Sequence, residues 1–343
     1  MNIRERTEDK EDRFLGPRGA RSASSRGRAR PEEPDTIRTA FARDRDRILH
    51  CKSFRRLKHK TQVFLATEND HYRTRLTHTL EVAQIARTVA RALELNEDLT
   101  EAIALGHDLG HTPFGHAGER ALDAALQSHD PAARFRHFEQ SLRVVEVLEN
   151  QGAGLNLTWE VLDGIGHHSK GRAGIAGKDL PATMEGQCVR IADRVAYVHH
   201  DFEDAVRAGF LCEDDLPEDV LRVFGRTPGQ RMAYVITDLV EHSQNADPIG
   251  FSPETARLLD TLKEFLFERV YTRELDKNLG LDVENVVRTL FDRALADPGF
   301  VPDWLRSVAA REYGDTDRAV VQAAVDFVAG MTDRYALSLA SKA

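Results

Sequence analysis

The sequence has few cysteines and no long apolar run, and both absences narrow the class of protein. Its three cysteines, Cys51, Cys188 and Cys212, are far apart and form no Cys-x-x-Cys pair. This usage argues against a disulfide framework and favours reduced thiols in a cytoplasmic protein. No segment approaches the roughly 18 consecutive apolar residues that a membrane span needs. Residues 1–30 contain no apolar h-region, so we expect no secretory signal.

The alternation of apolar and polar residues that is typical of strands is also scarce. The chain of 343 residues is 41% apolar and 30% charged, which is sufficient for a sizeable core. Apolar residues instead recur at helical spacing, as they do in residues 77–95. The same pattern predicts further helices at residues 98–109, 118–128, 138–151, 158–167, 185–209, 217–225, 228–243, 253–270, 281–296, 301–312 and 316–340. The sequence therefore predicts an all-α protein.

The distribution of residue types predicts three parts of the chain. Residues 1–35 are rich in Arg, Ser, Gly, Pro and Glu and nearly lack aliphatic residues, which predicts a disordered or loosely attached tail. Eleven of the 14 histidines lie between His50 and His168, so we expect the chemistry in residues 50–201, within a catalytic core of residues 36–210. Residues 211–343 are then expected to form a C-terminal helical extension that packs on the core.

Charge is distributed unevenly along the chain. The net charge of −9 argues against a general nucleic-acid binder. Residues 36–60 nevertheless carry nine Lys or Arg against two acids, and such a basic face suggests a small polyanion as ligand. Guanidinium groups suit forked recognition of phosphate oxygens, although most charged residues only solvate a surface. The candidate phosphate contacts are Arg55, Arg56, Lys58, Lys60, Arg73, Arg75 and Arg194.

The most informative segment is residues 107–119, which reads His-Asp-Leu-Gly-His-Thr-Pro-Phe-Gly-His-Ala-Gly-Glu. Three histidines, one aspartate and one glutamate fall within these 13 positions, among small residues and one proline. A packed core does not need that mixture of residues. A metal site with an acid or base beside it does need it.

Part of this segment has the spacing of an acid–base group. Glu119 follows His116 by three residues, so its carboxylate is expected to orient that imidazole. His111 lies in the same turn, and His137, just before the next predicted helix, is a further candidate to join them. A Glu–His pair at this spacing is also common as a plain surface contact.

Four residues are candidates for one metal site: His78, His107, Asp108 and Asp193. Two imidazoles and two carboxylates suit a borderline divalent ion such as Mn²⁺, Fe²⁺, Co²⁺, Ni²⁺ or Zn²⁺, and Mg²⁺ is less natural. Taken alone, a His–Asp pair in a helix is more often a surface or capping pair. Asp193 is the strongest addition, because it lies in an otherwise apolar helix where a carboxylate needs a partner. It shares one face of that helix with Tyr197, His200 and Asp201.

The order of these residues resembles that of the HD-domain metal phosphohydrolases. Within that group, the flanking segments resemble the deoxynucleoside triphosphate triphosphohydrolases, the dGTPase-like proteins. The matching segments are residues 43–50, 54–64, 73–83, 106–119 and 191–197. The C-terminal third matches less distinctly, through Gly330-Met-Thr-Asp-Arg-Tyr.

The resemblance implies an HD-domain helical core with additional C-terminal helices and a divalent ion held by the four residues named above. It implies hydrolysis of a dNTP to the deoxynucleoside and inorganic triphosphate. It singles out Arg75 and Arg194 for the phosphates and Gln62 for the nucleoside side of the substrate. Tyr197 and Asp201 resemble positions that contact sugar or phosphate.

The resemblance also implies a homo-oligomer and, in some relatives, a nucleotide effector.

Two alternatives remain open. Another HD phosphohydrolase, a nucleotide phosphatase or phosphodiesterase, would share the metal ligands without requiring His111, His116 and Glu119. A non-catalytic sensor of nucleotides or nucleic acid would use the basic segment of residues 36–60 and would bind without turnover. No residue pattern favours one base over the others.

Overall fold

The computed structural model describes residues 1–62, 72–169, 179–271 and 282–342. The regular elements in these ranges are helices. Two isolated β-bridges accompany them, one between Arg28 and Thr158 and one between Thr61 and Thr74. The prediction of an all-α fold is therefore confirmed. None of the helices described here combines the length and the apolar character needed to cross a membrane.

The chain forms two compact units, each built from three separate segments. Unit 1 consists of Met1–Arg45, His78–Leu105 and Thr158–Leu279, and unit 2 of Asp46–Thr77, Gly106–Leu157 and Gly280–Ala343. The predicted division at residues 36–210 and 211–343 does not coincide with these segments, and it stays a prediction.

Each helix is assigned to the unit that holds most of its residues. Unit 1 contains α1 (Ile3–Phe14), α2 (Ala40–His50), α4 (Arg75–Ala92), α5 (Glu97–Gly106), α8 (Trp159–Gly166), α9 (Met184–Arg207), α10 (Glu218–Phe224), α11 (Pro228–Ser243) and α12 (Pro253–Leu266). Unit 2 contains α3 (Lys52–Arg56), α6 (Gly115–His129), α7 (His137–Arg143), α13 (Val283–Ala296), α14 (Asp303–Tyr313), α15 (Asp317–Ala329) and α16 (Asp333–Ala340).

Helix α9 is central to unit 1. It packs against α8, α11 and α12, and the side chains of Cys188, Val189 and Val195 are fully buried. The hydroxyl of Thr183 begins the helix by accepting a hydrogen bond from the backbone N–H of Gly186 at 3.1 Å. Because the helix is packed by several neighbours, its polar side chains need partners within the protein.

The N-terminal segment differs from the predicted disordered or loosely attached tail. Helix α1 begins with a capping box, in which Asn2 and Glu5 exchange hydrogen bonds of 2.9 Å. The Glu11 carboxylate then accepts hydrogen bonds from the N–H and hydroxyl of Ser22, at 2.7 and 2.8 Å, and from the Asn96 amide at 3.1 Å. Composition predicted a loose tail because aliphatic residues are scarce there, but polar contacts hold this segment.

In unit 2, helices α6, α15 and α16 all pack on α13. The single helix predicted over residues 316–340 is wrong, because the chain breaks there into α15 and α16. Gly330 is the C-cap of α15. The hydroxyl of Thr332 then accepts a hydrogen bond from the N–H of Tyr335 at 3.3 Å and begins α16. The break places Asp333 in the first turn of a new helix.

Replacing Glu11 with Ala is expected to loosen the N-terminal segment. Three hydrogen bonds to a buried carboxylate disappear, and leaving such donors unpaired costs about 1–3 kcal/mol each. Limited proteolysis with mass spectrometry should show faster cleavage within residues 1–30 than in the parent chain. The control is Asp12→Asn, which changes an exposed carboxylate on the same helix. Equal digestion rates in the two variants would contradict a structural role for Glu11.

Candidate metal centre and acid–base site

The turn that precedes α6 carries most of the predicted chemistry of unit 2. Phe114 and Gly115 both have left-handed backbone conformations, with φ of 62° and 59°, and this is uncommon for a bulky residue such as Phe. A Cβ atom at Gly115 would lie 2.8 Å from the backbone oxygen of Gln62. Glycine is therefore required at this position, both for its backbone conformation and for its close approach to the backbone of Gln62.

Ser141 of α7 fixes the start of this turn. His107 and Asp108 are buried there. The Ser141 hydroxyl donates a hydrogen bond to the backbone oxygen of His107 at 2.7 Å and accepts one from the N–H of Gly110 at 2.9 Å. A side chain at Gly110 would collide with the backbone of α7. The small residues that stood out in the sequence thus allow the turn to lie directly against α7.

Arg75 is buried beside Asp108 and retains donors for a ligand. Its guanidinium donates a hydrogen bond from one Nη to the Asp108 carboxylate at 2.7 Å. Its Nε and second Nη are also buried, and neither has a hydrogen-bond partner among the described residues. Buried donors without partners are costly in a protein. This arrangement favours an anionic ligand whose oxygens complete the set.

The histidines and carboxylates of unit 2 form two clusters that could hold a metal ion. The ligand atoms of Asp108, His111 and His137 lie within 4.8 Å of one another, and so do those of His111, His116 and Glu119. One oxygen of Asp108 is 3.5 Å from Nε2 of His111. Imidazole nitrogens together with carboxylate oxygens are donors that suit borderline divalent ions.

Glu119 connects two histidines through its two carboxylate oxygens. One oxygen is 3.2 Å from Nδ1 of His116, and the other is 2.9 Å from Nδ1 of His137 and accepts the backbone N–H of His137 at 2.9 Å. The rings of His111 and His137 stack with their centroids 4.1 Å apart. The structure therefore brings together all four residues that were predicted to be catalytic.

The pKa values of this group are shifted in different directions. Burial acts to raise the pKa of Glu119, but the charge of His137 and the hydrogen bonds from His116 and His137 outweigh burial and hold it well below its ordinary value. Burial acts to lower the pKa of His137, but the Glu119 carboxylate raises it overall. Burial, reinforced by the charges of Arg75 and His137, lowers the pKa of His111 well below its ordinary value. Glu119 thus favours the protonated form of His137, with which it would form an ion pair, and burial favours the neutral form of His111.

In unit 1, the predicted metal ligands His78 and Asp193 lie next to each other. Nε2 of His78, in the first turn of α4, is 3.0 Å from Oδ1 of Asp193, which lies in α9. His78 is 2% exposed, whereas the side chain of Asp193 is 29% exposed. The aspartate that needed a partner on an apolar helix therefore has a histidine as its neighbour, and its exposed fraction leaves it accessible to a further ligand.

Other residues of the predicted polar face of α9 have varied surroundings. Nδ1 of His200 lies 3.0 Å from the carboxylate of Glu81. Arg194, which follows Asp193 and is not part of that predicted face, forms an ion pair with Asp260 of α12. Tyr197 is half-buried and Asp201 is buried. The predicted polar face thus includes a histidine–carboxylate contact internal to unit 1 as well as residues predicted to contact substrate.

The last two predicted substrate contacts, both in unit 2, differ in burial. Gln62 is 5% exposed, and its amide oxygen has no hydrogen-bond partner in the described part of the chain. Arg55 is exposed. The buried amide of Gln62 is the stronger candidate of the two, because its unpaired oxygen favours a ligand with a hydrogen-bond donor.

Three residues that support the site were not recognised from the sequence: Lys60, Ser141 and Asp333. Lys60 was counted among the phosphate contacts, but its ammonium group donates hydrogen bonds to the backbone oxygens of His111 and, at 2.8 Å, Ala329. Ser141 and Asp333 act through hydrogen bonds to distant parts of the chain. The only sequence signal was the position of Asp333 in the Gly330-Met-Thr-Asp-Arg-Tyr segment.

Comparison with known protein families agrees with the helical fold. Residues 75–198 match the HD domain, and residues 249–342 match the phosphohydrolase-associated domain. The first range includes the His-Asp pair and the histidine–carboxylate clusters. Together, the helical fold and these matches define an HD-domain phosphohydrolase.

Curated relatives narrow this class further. A deoxyguanosinetriphosphate triphosphohydrolase-like protein of Caldanaerobacter subterraneus subsp. tengcongensis is 52% identical over 98% of this chain and 94% of its own length. Proteins with the same description from Desulfatibacillum aliphaticivorans and Clostridium tetani are 46% and 43% identical over nearly all of both chains. The chain belongs to this family of deoxyguanosinetriphosphate triphosphohydrolase-like proteins, and the resemblance seen in its sequence is confirmed.

Replacing Glu119 with Gln is expected to lower the pKa of His137 below its ordinary value of about 6.5. The carboxylate raises that pKa against burial, so burial prevails once the charge is removed. Histidine NMR titration measures the change, with the His137 signal assigned through a His137→Asn variant. The control is Glu139→Gln, which removes a nearby exposed carboxylate and should leave the titration unchanged. A His137 pKa that is the same in Glu119→Gln and the parent chain would show that the ion pair is absent.

Proposed function

We propose that the chain is a metal-dependent dNTP triphosphohydrolase, which converts a deoxynucleoside triphosphate to the deoxynucleoside and inorganic triphosphate. The observation that carries this proposal is the group in which Glu119 holds His116 and His137. A phosphohydrolase that needed only metal ligands would not require this acid–base group. The relatives' description as deoxyguanosinetriphosphate triphosphohydrolase-like supports the same reaction class.

We propose His78, His107, Asp108 and Asp193 as the metal ligands, as their order in the sequence and the family resemblance imply. The donor chemistry fits such an ion, because each unit pairs an imidazole nitrogen with a carboxylate oxygen, at 3.0 Å for His78 and Asp193 and at 3.5 Å for His107 and Asp108. A bound divalent ion would lower the pKa of a water molecule and polarise a phosphate oxygen.

Arg75 is suited to bind the phosphates of the substrate. It is held by Asp108 through one nitrogen, so its remaining N–H groups have a fixed direction. Fixed guanidinium donors stabilise charge that develops on phosphate oxygens during transfer. Gln62 would accept a hydrogen bond from the nucleoside side of the substrate. Arg194, Tyr197, Asp201 and Arg55 complete the proposed substrate contacts.

His116 is the proposed general acid. Water attacks the α-phosphorus, the bond to the 5′ oxygen breaks, and that oxygen needs a proton to leave. Glu119 lies 3.2 Å from Nδ1 of His116 and orients the ring, so that Nε2–H can be donated to the leaving oxygen. We also propose, as the family implies, a cytoplasmic homo-oligomer and a possible nucleotide effector.

Product analysis tests the proposed reaction. The purified chain should release inorganic triphosphate and a deoxynucleoside from dNTPs supplied singly and as mixtures with Mn²⁺, Co²⁺ or Mg²⁺, as measured by anion-exchange chromatography. Mixtures are included because an activating nucleotide would otherwise be missed. Release of orthophosphate or of a nucleoside monophosphate would indicate another HD phosphohydrolase. Saturable nucleotide binding without any product would indicate a sensor.

Two variants separate the metal ligands from the general acid. Asp193→Asn removes an anionic oxygen and should weaken Mn²⁺ binding by at least about tenfold, with loss of turnover. His116→Gln should keep the metal and lose about 10²–10⁴-fold in kcat. Elemental analysis and calorimetric Mn²⁺ titration measure binding, and steady-state kinetics measures kcat. Full activity of Asp193→Asn would refute its assignment, and metal loss in His116→Gln would show that the two roles are reversed.

A further inference from the structure

One buried carboxylate, that of Asp333, joins three parts of unit 2. Its Oδ1 accepts a hydrogen bond from the backbone N–H of Phe114 at 2.9 Å. Its Oδ2 accepts hydrogen bonds from the backbone N–H of Thr61, at 2.8 Å, and from the Thr61 hydroxyl. Because Asp333 is only 5% exposed, these bonds form in surroundings where losing one of them is costly.

The position of Asp333 suggests a simpler role, which its contacts do not support. An aspartate at the start of a helix commonly caps the free amides of the first turn. In α16 that role belongs to Thr332, whose hydroxyl accepts the N–H of Tyr335 at 3.3 Å. The hydrogen bonds of the Asp333 carboxylate all go to residues outside α16. The carboxylate therefore serves the segments it touches and not its own helix.

Both of those segments carry proposed functional residues. Thr61 directly precedes Gln62, whose buried amide oxygen has no partner among the described residues. Phe114 lies between His111 and His116 and has a left-handed backbone, a conformation that costs about 1 kcal/mol or more in a non-glycine residue. A hydrogen bond to its N–H offsets this cost and fixes the direction in which the chain enters α6.

Lys60, which directly precedes Thr61, also links its own segment to the turn that carries His111. Its buried ammonium group donates hydrogen bonds to the backbone oxygen of His111 and to that of Ala329, at 2.8 Å for the latter. Two charged groups therefore hold the turn. The Lys60 ammonium group links the backbone oxygen of His111 to that of Ala329 in α15, and the Asp333 carboxylate of α16 accepts the N–H of Phe114.

We propose that Asp333 is a positioning residue for the hydrolytic reaction, holding the Gln62 segment and the turn from His111 to His116 in one fixed arrangement. Asp333 lies in the segment that matches the phosphohydrolase-associated domain, and this proposal gives that segment a part in catalysis. The proposal rests on the proposed function for its kinetic consequence, but the arrangement itself can be measured without turnover.

Asp333→Asn is the discriminating variant. Its amide keeps one acceptor oxygen, and that oxygen can serve either Thr61 or Phe114 but not both. The amide nitrogen then faces the other N–H, where it cannot accept a hydrogen bond. Thr332→Ala is the matched control, because it removes the cap of the same helix one residue away and leaves the Asp333 carboxylate in place. Asp333→Ala removes both acceptors.

Hydrogen exchange of the full chain, followed by mass spectrometry, tests the arrangement directly. In Asp333→Asn, the peptide that contains Phe114 or the one that contains Thr61 should exchange at least about tenfold faster than in the parent chain, because one of these buried N–H groups loses its acceptor. In Thr332→Ala the increase should be confined to α16. Parental exchange at both Phe114 and Thr61 in Asp333→Asn would overturn the proposal, whatever the activity of the chain.

Kinetics tests whether the arrangement matters for turnover. Asp333→Asn should lower kcat for a dNTP by about ten- to a hundredfold, because small displacements of reacting groups are costly. Asp333→Ala should lose more, and both should retain parental Mn²⁺ binding. Thr332→Ala should keep parental kcat while losing a comparable amount of thermal stability. Equal kcat in Asp333→Asn and Thr332→Ala would show that Asp333 is a structural residue without a positioning role. If the parent chain hydrolyses no dNTP, the proposed function is refuted, and the hydrogen-exchange test alone decides whether Asp333 holds the two segments.

Discussion

The arrangement of unit 2 depends on how the turn between residues 107 and 115 satisfies its backbone polar groups. A buried turn without a regular hydrogen-bond pattern must find other partners for its N–H and C=O groups. Ser141, Lys60 and Asp333 supply them from three different parts of the chain. Because these partners also fix where the turn lies, the histidines it carries are positioned by residues that have no direct part in the proposed reaction.

The same region concentrates buried charge, and the charges are arranged in opposite-sign contacts. Arg75 contacts Asp108, and Glu119 contacts His137 and His116. Burying any one of these charges alone would be strongly unfavourable, because desolvation of an isolated ion outweighs what weak contacts return. Burial also lowers the pKa of Lys60 well below its ordinary value, although two backbone oxygens accept its hydrogen bonds. A site with this much buried charge is stabilised by the complete set of partners and not by single pairs.

The sequence predicted the helical fold better than it predicted the contacts that support the candidate site. Helical periodicity identified α11 and most other helices, because amphipathic spacing is local information. It failed at Gly330, where the apolar pattern continues across a break, and in the N-terminal segment, where Glu11 provides contacts that composition does not register. The four catalytic candidates were singled out because histidine and acid are rare at such density, and their catalytic role stays a prediction. Asp333 could not be assigned, because its partners Thr61 and Phe114 are more than 200 residues away in the chain.

The stacked pair of His111 and His137 shows how residues of one type acquire different roles. Two imidazolium rings with centroids 4.1 Å apart would repel each other, so the pair favours a single proton charge. Glu119 favours that charge on His137, and burial together with the charge of Arg75 disfavours it on His111. A neutral imidazole can donate one hydrogen bond or act as a ligand, but it is a poor proton source at neutral pH. His116 lies at the other oxygen of Glu119 and has a side chain that is 42% exposed, so it can exchange protons with solvent between turnovers. The proposed role of general acid is therefore better suited to His116 than to His111, although both lie in the same short segment.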